Sequence, residues 1–224
     1  MYIIIGGGGA LGRRLAARLV EARHDVVVID RDRDVCEAIY ASTGALTVCG
    51  NVTEIDVLDD AGITKADVLV AATRSDADNL ALSLLAGSFS VQRIFARMRN
   101  PGYKVAYLSA GVTRVIDPVQ SFSDLLFLEI EQPEVRVIAE MGKGKASLGI
   151  IRAGEKTAGE GIAVRDLAAI RGFPEECVIV GLYREEADEF VLPRGNAVIR
   201  ADDQVFIAAS AEGLAKAAKI LSSK

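Results

Sequence analysis

The segment Ile5-Gly6-Gly7-Gly8-Gly9-Ala10-Leu11-Gly12 constrains this chain more than any other. The apolar, strand-like run Tyr2–Gly6 leads into it. The segment Ala10–Ala22 leaves it, with Leu11, Leu15, Leu19 and Val20 at helical spacing. Gly7, Gly9 and Gly12 spell G-x-G-x-x-G. The pattern says little alone, but here it sits between a strand and a helix, and Asp30 closes the next strand, Asp25–Asp30. Each position has its own task. Gly7 permits a tight turn, Gly9 lets a pyrophosphate approach the backbone, and Gly12 lets the helix lie close to the sheet. Unpaired N–H groups and the positive helix end then attract phosphate. Asp30 can accept from both ribose hydroxyls and would repel a 2′-phosphate. That favours NAD or an adenine nucleotide over NADP, although Arg31 and Arg33 pull the other way.

Downstream, apolar runs alternate with amphipathic ones. Strands are expected at Ala45–Cys49, Asp67–Thr73, Arg93–Met98 and Arg114–Asp117. Helices are expected at Asp32–Ala41, Glu54–Ala61, Asp76–Gly87 and Pro101–Ala110. Continuous apolar strands alternating with helices predict an α/β domain, a doubly wound Rossmann-like parallel sheet covered on both faces. Val119–Glu131 predicts a helix with a broad apolar surface of Phe122, Leu125, Leu126 and Leu128. Beyond Gln132-Pro133 strands dominate, at Val135–Met141, Ser147–Arg152, Val178–Arg184, Glu189–Leu192 and Gln204–Ala209. Two helices fit Val164–Ile170 and Ala211–Leu221. This describes a small α+β domain. The expected boundaries are 1–118 for the nucleotide domain, 119–133 for a crossover helix and linker, and 134–220 for the second domain.

Open α/β sheets bind ligands beyond the carboxyl ends of their strands. Those ends supply Asn51 and Val52, Thr73 and Arg74, and Arg97. Thr73 fits a turn or cap as well as a ligand contact. Arg97 lies among Ile94, Phe95, Ala96 and Met98, where a charge needs a partner such as a phosphate or a carboxylate.

Composition narrows the function. The 224 residues carry 26 basic and 31 acidic side chains, a net charge of −5, which argues against nucleic-acid binding. The longest uncharged stretch, Ala38–Thr53, is 16 residues long and rich in Ser, Thr and Gly, so it does not read as a membrane span. Met1–Ile5 lacks a basic leader region, and a cytosolic location is expected. Cys36, Cys49 and Cys177 have no metal or redox-motif spacing and read as packing residues. His24 reads as an exposed turn residue. No tyrosine has a lysine four residues on, and no other acid–base set stands out. The chain therefore reads as a nucleotide sensor and not an enzyme. The alternative is an NAD-dependent oxidoreductase with a small second domain.

The chain resembles the TrkA family of cytosolic regulatory subunits of potassium uptake systems, whose fold is called RCK. The resemblance rests on IIIGGGGALG, VVVID, GNVTEIDVLDDAGITKADVLVAAT, SDADN and IFARMRNPGYKVAYLSAGVTRVIDP. GEGIAVRDLA, VIVGLYRE and VLPRGNAVIRADDQVFIAAS extend it through the second domain. It implies an RCK N-domain followed by an RCK C-domain. It further implies that Gly7, Gly8, Gly9, Ala10 and Leu11 wrap the phosphates and that Asp30 holds the ribose, with Gly12 and Arg31 part of the same cofactor site. Asn51 and Val52 would lie by the adenine, Thr73 and Arg74 mid-ligand, and Arg97 near its charged part. Asn51 stands where the family commonly has Asp. Ala10 stands where relatives switched by ATP and ADP often carry Arg, which tilts the expected ligand to NAD(H), with ATP/ADP or AMP as alternatives. The implied partners are a second copy of the chain, a larger ring, and a membrane potassium channel or transporter. Through that partner the chain would sit peripherally at the inner face of the cell membrane. In the second domain Glu185, Glu186, Asp188 and Glu189 read as a solvated hairpin tip, with a divalent-cation site as the lesser reading.

Overall fold

The computed structural model describes residues 1–131, 133–142, 145–155 and 161–222. The chain divides into two compact units, Met1–Ser121 and Phe122–Lys224.

The first unit is built on six parallel strands: β1 (Tyr2–Gly6), β2 (Asp25–Asp30), β3 (Leu46–Cys49), β4 (Val68–Ala71), β5 (Arg93–Arg97) and β6 (Arg114–Ile116). They are ordered β3-β2-β1-β4-β5-β6 and every pair is parallel. Side chains alternate across the pleat, so both faces must be covered. Ile3, Ile5, Val26 and Val28 pack with Ala16 and Ile39 on one face. These two come from α1 (Ala10–Glu21) and α2 (Arg33–Thr43). Ile4, Val27, Ile29 and Leu69 pack on the other face with Leu58, Leu82 and Tyr107. Those come from α3 (Ile55–Asp60), α4 (Asp76–Ser88) and α5 (Lys104–Ser109). Burial on both faces explains why the strands read as unbroken apolar runs. The helix expected over Pro101–Ala110 opens instead as a 3-10 turn, Pro101–Tyr103, before α5.

Helix starts follow side-chain chemistry. Asp32 accepts from the Asp34 and Val35 amides ahead of α2, and Ser75 from the Asp78 amide ahead of α4. The next helix, α6 (Pro118–Glu131), starts one residue earlier than expected, because Pro118 suits a first helical position. Asp117 caps it by accepting from the Val119 and Gln120 amides. Val119, Phe122, Phe127 and Ile130 are all exposed, Ile130 by 75%.

The second unit holds an antiparallel sheet ordered β11-β10-β13-β8-β7. Its strands are β7 (Val135–Met141), β8 (Ala146–Arg152), β10 (Val178–Arg184), β11 (Glu189–Val191) and β13 (Gln204–Ala209). The last helix, α7 (Ala211–Leu221), packs Leu214, Ala217, Ala218 and Leu221 with Ile151, Val205 and Ile207. A two-stranded ladder, β9 (Ile162–Ala163) with β12 (Val198–Ile199), has no counterpart in the sequence reading. The segment Val164–Ala169 is 3-10, not α-helical. Among the described residues no helix is long and apolar enough to cross a membrane.

Candidate functional site

Strand order reverses about β1. A crevice of about 540 Å³ opens where the carboxyl ends of the strands part. Its floor is the glycine turn. Gly7 has φ +109°, and a Cβ there would meet the Ala72 carbonyl at 2.8 Å. A Cβ on Gly12 would drive into the Gly7 carbonyl oxygen, so α1 can approach the turn only with glycine there. Gly9 differs: a Cβ there would meet nothing within 4 Å, because the space beside it belongs to the crevice. α1 starts at Ala10 with no side-chain cap and no acidic residue in its first turn. Its leading N–H groups and positive dipole end therefore face the crevice unsatisfied.

The walls come from the other strand ends. Gly7, Gly9, Ala10, Leu11, Asp30, Arg31, Val52, Thr73, Arg74 and Arg97 all line the crevice, joined by Asp32, Ala72 and Asp78. Gly8, Gly12 and Asn51 stand behind the wall. Gly8 faces Ile39 and Val35, and its amide donates to Asp30 Oδ2 at 2.6 Å. Asn51 Oδ1 accepts from Arg31 Nη2 at 2.8 Å and from the Thr53 amide at 3.1 Å. Arg31 Nη2 also pairs with Asp78 Oδ2 at 3.1 Å, joining the β2 end to the first turn of α4. Asp30 Oδ1 accepts from the Asp32 amide at 3.0 Å.

The far wall is held by Asn79, fully buried on α4 and not visible as a site residue in the sequence. Its Oδ1 accepts from the Thr73 amide and hydroxyl at 2.9 and 2.8 Å, and its Nδ2 donates to the Arg97 carbonyl at 3.0 Å. Thr73 is thereby tied into the turn while still facing the crevice. Tyr107 donates to Asp76 Oδ1 at 3.0 Å. Burial and that carboxylate raise its pKa, so the phenol keeps its proton. Asp76 also accepts from the Arg99 and Asn100 amides.

Arg97 is the exception to this closed network. Its Nε is buried without a hydrogen-bond partner, and its guanidinium pairs with no described residue. The side chain is half-buried and lines the crevice, so a polar nitrogen withdrawn from water without a partner carries a cost that an anion there would relieve. Unsatisfied helix N–H groups, open space at Gly9 and an unpaired guanidinium together fit an anionic, phosphate-bearing ligand.

Residues 2–118 match the TrkA-N domain and residues 156–222 the TrkA-C domain. The chain belongs to the TrkA family. It is 36% identical over 148 residues to a Trk system potassium uptake protein TrkA homolog of Methanothermobacter thermautotrophicus, covering 66% of this chain and 68% of that protein. It is 27% identical to TrkA of Mycobacterium tuberculosis across 99% of this chain and 98% of that one. It spans about half the length of other curated TrkA relatives, among them that of Archaeoglobus fulgidus. The GsuK channel bound to NAD superposes with a TM-score of 0.66 at 20% identity, covering 99% of this chain and 39% of that one. That likeness establishes the shared Rossmann-like and RCK fold. GsuK has also been solved with ADP, matching 57% of this TrkA-family chain and 34% of that chain at 25% identity and a TM-score of 0.53.

Other expectations end differently. His24 is half-buried where exposure was expected, its amide donating to the Leu19 carbonyl at 3.0 Å. Three of the four acidic residues of the β10–β11 connection have partners. Glu185 pairs with Arg152, Glu189 with Arg184, and Asp188 accepts from Tyr183. Cys36 is buried and Cys49 exposed, as core and surface cysteines would be, and both lie beside Asp30.

Proposed function

We propose that this chain is a nucleotide-sensing regulatory subunit that gates a membrane potassium channel or transporter. The observation carrying the reading is the unpaired Arg97 guanidinium in a crevice whose floor is an uncapped helix N-terminus. In this reading Gly7 to Leu11 hold the phosphates, with Gly8 and Gly12 shaping the turn. Asp30, braced by the Gly8 and Asp32 amides, takes the ribose. Val52 flanks the adenine, with Asn51 fixing Arg31 behind it. Thr73, Arg74 and Arg97 receive the distal, charged part. NAD(H) is the favoured ligand, and ATP, ADP or AMP meet the same donors. A relative bound to NAD and to ADP supports that choice of class.

The domain plan of this reading is a sensor at 1–118, a crossover helix and linker at 119–133, and the RCK C-terminal domain at 134–220. The apolar side chains exposed on α6 support its pairing with a second copy, and a ring of such dimers would act on the membrane partner from the inner face of the cell membrane. A ligand can drive such a rearrangement only by binding two arrangements unequally. A 100-fold ratio supplies about 2.7 kcal/mol per site. The crevice lining offers no His, Cys, Tyr or Lys for proton transfer, which favours sensing over hydride-transfer catalysis.

Calorimetric titration with NADH, NAD+, ATP, ADP and AMP, alongside native mass spectrometry, tests the reading. Saturable binding of at least one nucleotide by an oligomer is expected, and Gly9→Val should abolish it with the fold intact. A monomer that binds none of them sinks the proposal.

A further inference from the structure

Cys36 and Cys49 lie 13 positions apart, on α2 and at the end of β3. The parallel register sets Cys49 opposite Asp30, and α2 folds back over the same strand ends. The Cys36 thiol donates to the Asp30 carbonyl at 3.5 Å and lies 3.8 Å from the Val48 carbonyl, one residue before Cys49. The Cys49 thiol donates to the Arg31 carbonyl at 3.6 Å. The two sulfurs therefore clasp consecutive peptide groups of the turn that presents Asp30 and Arg31 to the crevice. Each thiol also meets the other. Burial first, then Cys49, raises the Cys36 pKa above the usual thiol value. Their access is unequal: Cys36 is buried and Cys49 is exposed.

We propose that Cys49 and Cys36 form a peroxide-sensitive pair, an oxidative modification site directly behind the nucleotide crevice. The exposed Cys49 thiolate attacks a peroxide oxygen, breaking the O–O bond and giving a sulfenic acid and hydroxide. Cys36 then attacks that sulfur, its proton leaving with the hydroxyl as water. Two thiols and one hydrogen peroxide become one disulfide and two waters. Both thiol hydrogen bonds to the Asp30 and Arg31 carbonyls are lost. The turn carrying the ribose-facing carboxylate is released from its support, and nucleotide affinity falls. The affinity effect rests on the functional reading above; the disulfide does not.

The sequence makes the bond easy to read. Trypsin leaves both cysteines in one peptide, Asp34–Lys65, and a second cut after Glu37 separates them unless a disulfide joins them. After hydrogen peroxide treatment of the full chain, the expected result is a 2 Da loss in that peptide, reversed by dithiothreitol, with the two pieces still joined after the second cut. In Cys36→Ala, Cys49 should accumulate as a sulfenic acid trapped by dimedone. In Cys49→Ser, Cys36 should stay reduced. Two thiols still titratable in excess peroxide, or Cys49 carried to sulfinic acid beside a reduced Cys36, overturns the proposal. NADH titration of the oxidised and reduced proteins should differ by about tenfold in Kd, the scale of losing hydrogen bonds that position a charged group. Equal affinities with the disulfide formed overturn the coupling alone. Absence of NADH binding in both forms counts against the nucleotide reading and leaves the disulfide result standing.

Discussion

Two arginines end strands in the two units and have opposite surroundings. Arg184 ends β10, with its side chain 20% exposed. It pairs with Glu189 at 3.0 Å and lies 3.7 Å from the nearly buried Asp203, and its Nη2 donates to the Val198 carbonyl. Arg97 ends β5 and forms no ion pair among the described residues, although its backbone carbonyl is held by Asn79 and Tyr107. Both have a buried Nε without a hydrogen bond. Among the described residues, only Arg184 has its charge met by carboxylates. A cation neutralised by its own fold serves stability. A cation held rigidly at a crevice with nothing opposite leaves a place for an anion from outside.

Substitution should separate the two roles. Arg184→Ala leaves Asp203 buried without its cation. Breaking such a pair costs roughly 3 kcal/mol of stability, read by urea denaturation, with nucleotide affinity unchanged. Arg97→Ala should do the reverse. Losing charge-assisted hydrogen bonds weakens nucleotide binding by about 1.5–3 kcal/mol in calorimetry. The ligand-free protein should be no less stable, since a half-buried cation with an unsatisfied Nε has gone. If Arg97→Ala destabilised the ligand-free protein as much as Arg184→Ala, the contrast would fail. Asp30 sharpens it by belonging to both classes. Its carboxylate braces the Gly8 and Asp32 amides while facing the crevice. Asp30→Ala should therefore weaken nucleotide binding by about 1–3 kcal/mol and lower stability as well. Asp30→Asn, which keeps one acceptor, should recover more stability than affinity.

How much of this was legible in the sequence depends on the range of the forces involved. The sheet was legible because burial on both faces leaves long apolar runs. The glycine turn was legible because Gly7 and Gly12 answer clashes a few atoms away. Ten residues of the crevice lining could be named because strand ends converge in this topology. That Gly8 faces α2 and Asn51 braces Arg31 depends on side-chain direction, which spacing does not encode. The ladder β9–β12 is two residues long, too short for a period-two pattern to emerge. That Cys36 and Cys49 both reach the Asp30–Arg31 turn follows from the β2–β3 register plus the return of α2, and the lack of an ion-pair partner for Arg97 among the described residues is a property of everything packed around it.

The thiols repeat the contrast on a smaller scale. Cys177, in the second unit, donates to the Gly213 carbonyl at 3.6 Å. Burial, and then the neighbouring Glu176 carboxylate, push its thiol up to about 11 from the ordinary 9. The unfolded chain therefore releases this proton near pH 9 while the folded chain holds it until about pH 11. Between those values the folded state binds more protons, so the stability that Cys177 contributes, complete below pH 9, is lost as pH rises toward 11. Cys177→Ser keeps a donor for the Gly213 carbonyl and does not titrate in this window. Urea midpoints of the two proteins at pH 8 and pH 10.5 should show the larger fall in the parent chain, the smallest effect expected here. Nucleotide at saturation should leave that difference unaltered, because the crevice is lined by residues of the first unit alone and Cys177 belongs to the second. A nucleotide-dependent difference would mean that the two units share their electrostatics, and the contrast between Arg184 and Arg97 would then have to be redrawn.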